Sequence, residues 1–274
     1  MRKYISTFIG LVLCICQLQA QGQSSFLLPR SASELAAGDV SPIFVQHNNS
    51  FGVSLSYLQW SPDAVNSTGL GINIYYKILK NLEAGIVFNR TAGQPYTAVN
   101  TSGVPEGSYT PDDNIAGLGV SYRLNSHFIV GMKGKYLSAN LGENIGAKSV
   151  GIDLGVQYTT DKLTAEAGAM NLGSDVCLAK ADICYTAPIG LKVGGEMDIL
   201  FNGGVMAGIG LEYNVKEMAF IRCGYHYGEE TRTIPSFASV GLGLKFFGIS
   251  LDLAYLTVSD ILGNSIMIGL GYSF

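Results

Sequence analysis

The chain has 274 residues and a net charge of −4, and only 14% of its residues are charged, against about 25% in ordinary soluble domains. An acidic chain with so few charges is unsuited to nucleic acid, whose phosphates select a basic surface. Hydrophobic residues make up 47% of the chain. Yet no stretch after the first twenty residues has the roughly 18 consecutive apolar residues of a membrane-spanning helix. A hydrophobic chain without such helices can cross a membrane only as a closed β-barrel.

Residues 1–20 have the pattern of a secretory signal peptide. They begin with Met-Arg-Lys, continue with an apolar run over residues 4–16, and end at Ala20, a small residue suited to cleavage. The alternative is a lipidated Cys16, although Ile15 before it fits a lipoprotein cleavage site poorly. Removal of residues 1–20 takes 2 of the 17 basic residues and leaves 15 against 21 acidic ones, a net charge of −6.

Residues 21–50 lack any alternation of apolar and polar positions. Residues 31–38 predict one short helix that is capped by Ser31 or Ser33. We interpret residues 21–50 as an N-terminal hatch, or plug, inside the barrel mouth. The alternative is a disordered leader.

From Phe51 to Phe274, apolar residues recur at every second position, which is typical of β-strands with one apolar face. Residues 265–274 are the clearest case, and about ten residues is the length of a tilted strand that crosses a bilayer. An aromatic C-terminal residue is also typical of outer-membrane barrels. We therefore predict a bacterial outer-membrane location, with lipid as the surrounding partner.

The other face of these strands is rich in glycine, serine and charged residues. A soluble β-sandwich has little use for glycine there, because glycine weakens strands. In a barrel, small inward residues make room for a hatch and for strand curvature. We therefore predict an all-β fold, a transmembrane antiparallel barrel formed by residues 51–274.

The alternation predicts thirteen strands, but bacterial barrels have an even number. Dividing residues 189–200 at Gly194-Gly195 would give about fourteen strands, and twelve is the alternative. Short connections are expected to alternate with long ones, as in outer-membrane barrels. The predicted long connections span residues 61–67, 92–112, 140–146, 173–185, 228–235 and 258–263.

The sequence contains no recognisable catalytic or cofactor motif. His47, His127 and His226 have no partners at ligand spacing, and no phosphate-binding loop or nucleophile motif is present. We expect a protein that is not an enzyme and that holds no metal or cofactor. Cys177 and Cys184 are seven residues apart in a segment interpreted as a loop, so they are candidates for a disulfide in an oxidising compartment.

Charged residues on the polar face of the strands are expected to point into the lumen. Mixed signs in a confined space pair with one another and with a hatch, so the pattern favours a filled barrel over an open pore. The candidate lumen charges are Arg123, Lys133, Lys135, Asp153, Glu166, Lys192, Glu196, Glu212, Arg222, Lys245 and Asp252.

The longest predicted connection, residues 92–112, is a candidate for binding a protein partner. A loop of this length in a compact fold is usually functional or disordered. Aromatic and apolar side chains favour interface cores, although they would equally suit the lid of a ligand pocket. The candidate docking residues are Tyr96, Val99, Val104 and Tyr109.

A series of short segments, taken in order, resembles the PorV/PorQ family, which is related to the FadL fatty-acid channel and found in Bacteroidetes-type bacteria. The N-terminal segment 31–41 is similar to the hatch of that family. The remaining segments are 113–124, 131–137, 153–158, 171–173, 188–194, 210–213, 222–225 and 241–244. The resemblance implies a fourteen-strand barrel with a role in type IX secretion, in which secreted or surface proteins and secretion-system subunits are partners.

Three functions remain as hypotheses. The first is a non-enzymatic component of protein secretion or surface attachment, of the PorV/PorQ kind. The second is a FadL-like channel for a hydrophobic small molecule. The third is an outer-membrane enzyme, which the unpartnered histidines disfavour.

Overall fold

A computed structural model describes residues 24–28, 31–60, 67–99, 102, 104–142, 145–229, 233–258 and 264–274. The predicted signal peptide, the alternative at Cys16 and residues 21–23, 29 and 30 of the predicted hatch lie outside the described residues. Within these ranges, no helix is long and apolar enough to span a membrane.

The described chain is almost entirely β-structure, and fourteen of its strands close into one antiparallel barrel. The barrel is sealed where β1 pairs with β16, for example Gly52 with Ser273. A two-stranded hairpin, β4–β5, lies outside the barrel sheet. The strands are β1 (Phe51–Trp60), β2 (Ser67–Leu79), β3 (Leu82–Ala92), β4 (Tyr96–Val99), β5 (Pro105–Tyr109), β6 (Asp112–Arg123), β7 (Phe128–Gly142), β8 (Ile145–Thr159), β9 (Leu163–Leu172), β10 (Leu178–Thr186), β11 (Leu191–Leu200), β12 (Val205–Val215), β13 (Ala219–Gly228), β14 (Phe237–Phe246), β15 (Ile249–Val258) and β16 (Ser265–Ser273).

The predicted fold and the count of fourteen are confirmed, but the position predicted for the missing strand is wrong. Gly194 and Gly195 lie in the middle of the continuous strand β11. The missing strand is β10, within the segment that was interpreted as a loop. Its outward face begins with Ala179 and Ala181, and its inward face carries charges, so its alternation is weak in the sequence.

The predicted Cys177–Cys184 disulfide is also wrong, for the same reason. Cys177 directly precedes β10 and Cys184 is its seventh residue, so seven residues of extended chain separate them. At about 3.3 Å per residue this places their Cα atoms about 23 Å apart. A disulfide requires a separation below about 7 Å.

The connections at one end of the barrel, which we call the inner end, are all short, and those at the other, the outer end, include the longest, between β3 and β6. The predicted long connection at residues 140–146 is instead short, because β7 extends to Gly142 and β8 begins at Ile145. The outward face is apolar along the whole barrel, with side chains such as Leu118 at 62% and Ile209 at 57% exposure. Tyrosines ring the inner end, as in the interfacial girdle of a membrane barrel. They are Tyr76, Tyr122, Tyr158, Tyr185, Tyr213 and Tyr272. The surface is therefore that of a transmembrane barrel.

Candidate functional site

Residues 24–28 and 31–50 occupy the lumen and together are called the hatch below. The hatch begins near the outer end with a 3-10 turn, Ser24–Leu27, and continues into a short helix, α1 (Ala32–Ala36). As predicted, Ser31 caps this helix, because its hydroxyl accepts the backbone N–H of Glu34 at 3.2 Å. The hatch then descends to the inner end, where Ser50 donates its backbone N–H to the carbonyl of Phe274 at 2.9 Å.

The inward glycines are explained by the path of the hatch. A Cβ atom on Gly224 would lie 2.2 Å from the backbone nitrogen of Gly38, and one on Gly210 would lie 2.2 Å from the carbonyl oxygen of Ala37. Further along, a Cβ on Gly131 would lie 2.5 Å from the ring of Phe44. Since these approaches exclude any side chain, the wall and the hatch are built to fit each other.

Carboxylates of the wall hold the backbone of the hatch below its helix. Glu196 on β11 accepts the N–H of Ser41 at 2.7 Å. Glu166 on β9 accepts two, from Ile43 at 3.0 Å and from Phe44 at 3.2 Å. Together these three hydrogen bonds join two strands of the wall to consecutive parts of the hatch. The hatch is therefore a fixed part of the lumen in this state.

A histidine fixes the hatch near the inner end. His47 donates its backbone N–H to Glu83 at 3.0 Å, and its Nδ1 lies 2.7 Å from the other oxygen of that carboxylate. The ring also stacks on Tyr75, with centroids 3.4 Å apart. The spacing of residues along the chain does not reveal this partner of His47, because Glu83 is 36 residues away. The other two histidines stack on aromatic rings, His127 on Tyr158 and His226 on Phe237.

The outer half of the lumen is filled by apolar side chains from the wall and from the first part of the hatch. Phe26, Leu27 and Leu35 of the hatch meet inward side chains at the outer ends of the strands. Each of these wall residues is less than 10% exposed, so water is excluded. They are Leu58, Ile115, Leu137, Met170, Leu178, Leu200, Met206, Phe237, Leu256 and Met267.

The inner half of the lumen is hollow, and its wall carries more polar side chains than that of the outer half. A cavity of about 390 Å³ lies between the hatch and β1, β2, β3 and β6, and is lined by Asn73, Tyr75 and Lys133 among others. A second cavity, of about 530 Å³, lies on the other side of the hatch. It is lined by polar residues of β8 to β13, such as Gln157, Asp182 and Glu212.

The structure places most of the predicted lumen charges on the inner surface. Lys135 and Asp153 form an ion pair of 2.8 Å, while Arg222 contacts Glu212 at 2.6 Å and Asp252 at 2.5 Å. Two further cations contact the hatch and one lies at the rim. Arg123 donates to the side chain of Gln46, Lys133 donates to the carbonyl of Ile43, and Lys245 is exposed at the inner end.

The predicted lumen charges include Glu196 but omit Lys180 and Asp182 of β10 and Asp198 of β11. Lys180 on β10 lies 2.5 Å from Glu196 and 3.8 Å from Asp198. Asp182 stands directly opposite both Glu166 and Glu196 in the strand register, so three carboxylates lie in one row across β9, β10 and β11. Among the described residues, no group of three His, Cys, Asp or Glu side chains could hold a metal ion.

Comparison with solved structures identifies barrels of the same architecture. The Ralstonia pickettii toluene transporter TbuX matches 94% of this chain and 99% of its own, with a TM-score of 0.62 and 10% identity. The Pseudomonas putida toluene transporter TodX matches 89% of this chain and 97% of its own, with a TM-score of 0.55 and 12% identity. The deltaS2S3 mutant of TodX, described as a monoaromatic hydrocarbon channel, matches 89% of this chain and 99% of its own, with a TM-score of 0.58 and 13% identity.

The chain shares the fold of these transporters. At 10–13% identity the similarity concerns the fold alone. No protein-family model matches the chain, and no curated protein matches it in sequence.

The predicted docking loop contains the β4–β5 hairpin. The rings of Tyr96 and Tyr109 face each other across it, with centroids 6.2 Å apart. Tyr96 is 41% exposed and Val104 is 54% exposed. The side chain of Val99 lies outside the described residues. The hairpin therefore presents apolar and aromatic surface beyond the outer end of the barrel.

Proposed function

We propose that this protein is a non-enzymatic outer-membrane channel of the FadL-like kind, which carries a small hydrophobic molecule. The observation behind the proposal is the apolar filling of the outer half of the lumen. Inward residues of a water-filled pore are polar, whereas Leu137, Leu178 and Met206 point inward and are buried. The toluene transporters that share the fold support the same function.

The two halves of the lumen suggest a direction of transfer. An apolar molecule entering from the outer end gains about 25 cal/mol for each Å² of surface that it buries among these side chains. It would replace Phe26 and Leu27, which fill that space in the closed state. The inner half is hollow and its wall carries more polar side chains, so an apolar molecule finds fewer apolar contacts there, which favours its release on the inner side.

Uptake of labelled toluene by cells that make this protein tests the proposal. Met206→Asp places a charge in the apolar half, whereas Thr164→Asp, in the larger cavity, is the matched control. We expect the protein to raise uptake several-fold, M206D to abolish that gain and T164D to keep it, with equal amounts of assembled barrel. Equal uptake by cells with and without the barrel would refute a role in toluene transport.

The location in the outer membrane is part of this proposal, with the inner end facing the periplasm. The carbonyl of Phe274 accepts the N–H groups of Ser50 and Phe51 at 2.9 and 3.1 Å, and its ring lies 5.4 Å from that of Phe51. Phe274→Asp should sharply reduce assembled barrel in the outer membrane, as measured by heat-modifiable migration of the membrane fraction. Phe247→Asp, at an exposed inner turn, is the control and should assemble normally.

The second candidate is a docking role in type IX secretion, of the PorV/PorQ kind. It is favoured by the exposed Tyr96 and Val104 of the β4–β5 hairpin. Pull-down of the intact barrel, with and without residues 93–111, distinguishes the two functions. Loss of a co-purifying secreted or surface protein on deletion supports docking. Co-purification of a lipid-like molecule and no protein supports the channel.

A further inference from the structure

Asp39 follows the hatch helix and faces the wall of the lumen. Gly38 and Asp39 both have positive φ angles, 75° and 63°, and the N–H of Asp39 donates to the carbonyl of Glu34 at 3.0 Å. This turn ends the helix and sets the backbone conformation at Asp39. Together with Glu196 and Asp198, the Asp39 side chain lines a small cavity of about 40 Å³ between hatch and wall.

The charged groups around Asp39 are mostly negative. Strand β11 contributes Glu196 and Asp198, helix α1 contributes Glu34, and β10 contributes the cation Lys180. The ammonium of Lys180 already forms ion pairs with two of these carboxylates, since it lies 2.5 Å from Glu196 and 3.8 Å from Asp198.

The next charged groups along the wall do not neutralise this excess of negative charge. Glu166 on β9 and Asp182 on β10 add two more carboxylates to the row beside Glu196. Lys135 on β7 is paired with Asp153 on β8. An ionised Asp39 would therefore face an excess of negative charge in a confined space.

Burial, and next the negative charge of Glu196, raise the pKa of Asp39 well above its ordinary value. The docked hatch therefore retains a proton on Asp39 to a higher pH than a released hatch, in which Asp39 is in water. A state that binds more protons is favoured as the pH falls and disfavoured as the pH rises. Docking should thus weaken from the ordinary pKa of an aspartate upward, until Asp39 is ionised in both states.

We propose that Asp39, facing Glu196 and Asp198 across the hatch–wall contact, is a proton-dependent latch that releases the hatch when it ionises. The N–H group that Glu196 accepts belongs to Ser41, only two residues from Asp39. Repulsion between the carboxylates of Asp39 and Glu196 therefore acts directly on this anchor of the hatch. The latch concerns docking of the hatch and does not depend on which molecule, if any, the lumen carries.

Amide hydrogen exchange of the full-length barrel in detergent, followed on a peptide covering residues 36–47, tests the latch. Protection is expressed against the intrinsic exchange rate at each pH. In the unaltered protein, protection should fall by up to about tenfold per pH unit while one proton separates the docked and released hatch. Asp39→Asn removes the charge and suits the left-handed backbone, so its protection should stay high and independent of pH.

Asp161→Asn, in the exposed β8–β9 turn, is the matched control and should behave like the unaltered protein. Heat-modifiable migration on gels checks that each variant is assembled. Glu196→Gln is a second variant, which keeps an acceptor for Ser41 and should reduce the pH dependence. The proposal is overturned if the unaltered protein shows no pH dependence, or if either D39N or E196Q retains all of it.

Discussion

The two halves of the lumen differ although the same fourteen strands build both. In the outer half, inward residues such as Leu137 and Leu178 are buried together with Phe26 and Leu35 of the hatch. In the inner half, inward residues are polar, and cavities of about 390 and 530 Å³ flank the hatch. The lumen thus has a filled apolar outer half and a hollow inner half with a polar wall, which we call the vestibule. The hatch crosses both.

This contrast assigns different roles to the inward residues. In the outer half the side chains themselves exclude water, so they decide what can enter. In the inner half the hatch is held by carboxylates that accept its backbone N–H groups, so polar residues there are structural as well as solvating. Substitutions in the two halves should therefore have different consequences.

The largest effect is expected for Leu137→Lys, which places a charge in the filled half. Leu137 is fully buried, and an unpaired buried charge should lower the free energy of unfolding by on the order of 5 kcal/mol. Thr186→Lys, in the larger cavity, should change it by less than about 1 kcal/mol. Urea unfolding of the barrel in detergent measures both values, and equal effects would contradict the distinction between the halves.

A smaller effect is expected for Arg222→Met in the hollow half. Arg222 is 7% exposed and contacts both Glu212 and Asp252, so its removal leaves two carboxylates without their cation. The free energy of unfolding should fall by about 3 kcal/mol. Lys245→Met at the exposed rim is the control for loss of a positive charge. If R222M proves as stable as K245M, the ion pairs of the vestibule are not structural.

The smallest effect on the barrel itself is expected for Gly224→Ala, at the contact between wall and hatch. The added Cβ meets the backbone of Gly38 at 2.2 Å, and such overpacking costs about 2 kcal/mol. The barrel should assemble, while amide exchange in residues 36–47 becomes faster. Gly119→Ala, whose nearest neighbour is the Lys133 side chain at 3.4 Å, should leave exchange unchanged. Unaltered exchange in G224A would mean that the hatch adapts to the wall.

The alternation of apolar and polar residues was sufficient to predict the barrel, because neighbouring residues of a strand point to opposite faces of the sheet. It failed at β10, where Lys180 and Asp182 on the inward face and alanines on the outward face resemble a loop. The outer ends of other strands contain a sequence pattern that indicates the apolar filling of the lumen. Pairs such as Ile199-Leu200 and Val205-Met206 are apolar on both faces, which indicates that the lumen is apolar there.

The position of the hatch against the wall could not be predicted from the sequence. The partners of the hatch are distant along the chain: Glu166 is 123 residues from Ile43, and Ser239 is 201 residues from Gly38. The inward glycines indicated that something passes close to the wall, but only the folded barrel relates each glycine to a hatch residue. The charged residues likewise predicted a filled lumen without predicting which half is filled.

The seam between β1 and β16 has a consequence for how this protein is assembled. It pairs Gly52 with Ser273, the first strand of the barrel with its last, and so joins positions more than two hundred residues apart. Such distant segments pair slowly, because the chain loses conformational entropy on bringing them together before the hydrogen bonds of the pairing form. The hatch lies directly before β1, and the wall that binds it includes β13 and β14. The hatch therefore acquires its full set of contacts only when the barrel closes. Docking of the hatch thus indicates that the barrel is completely assembled.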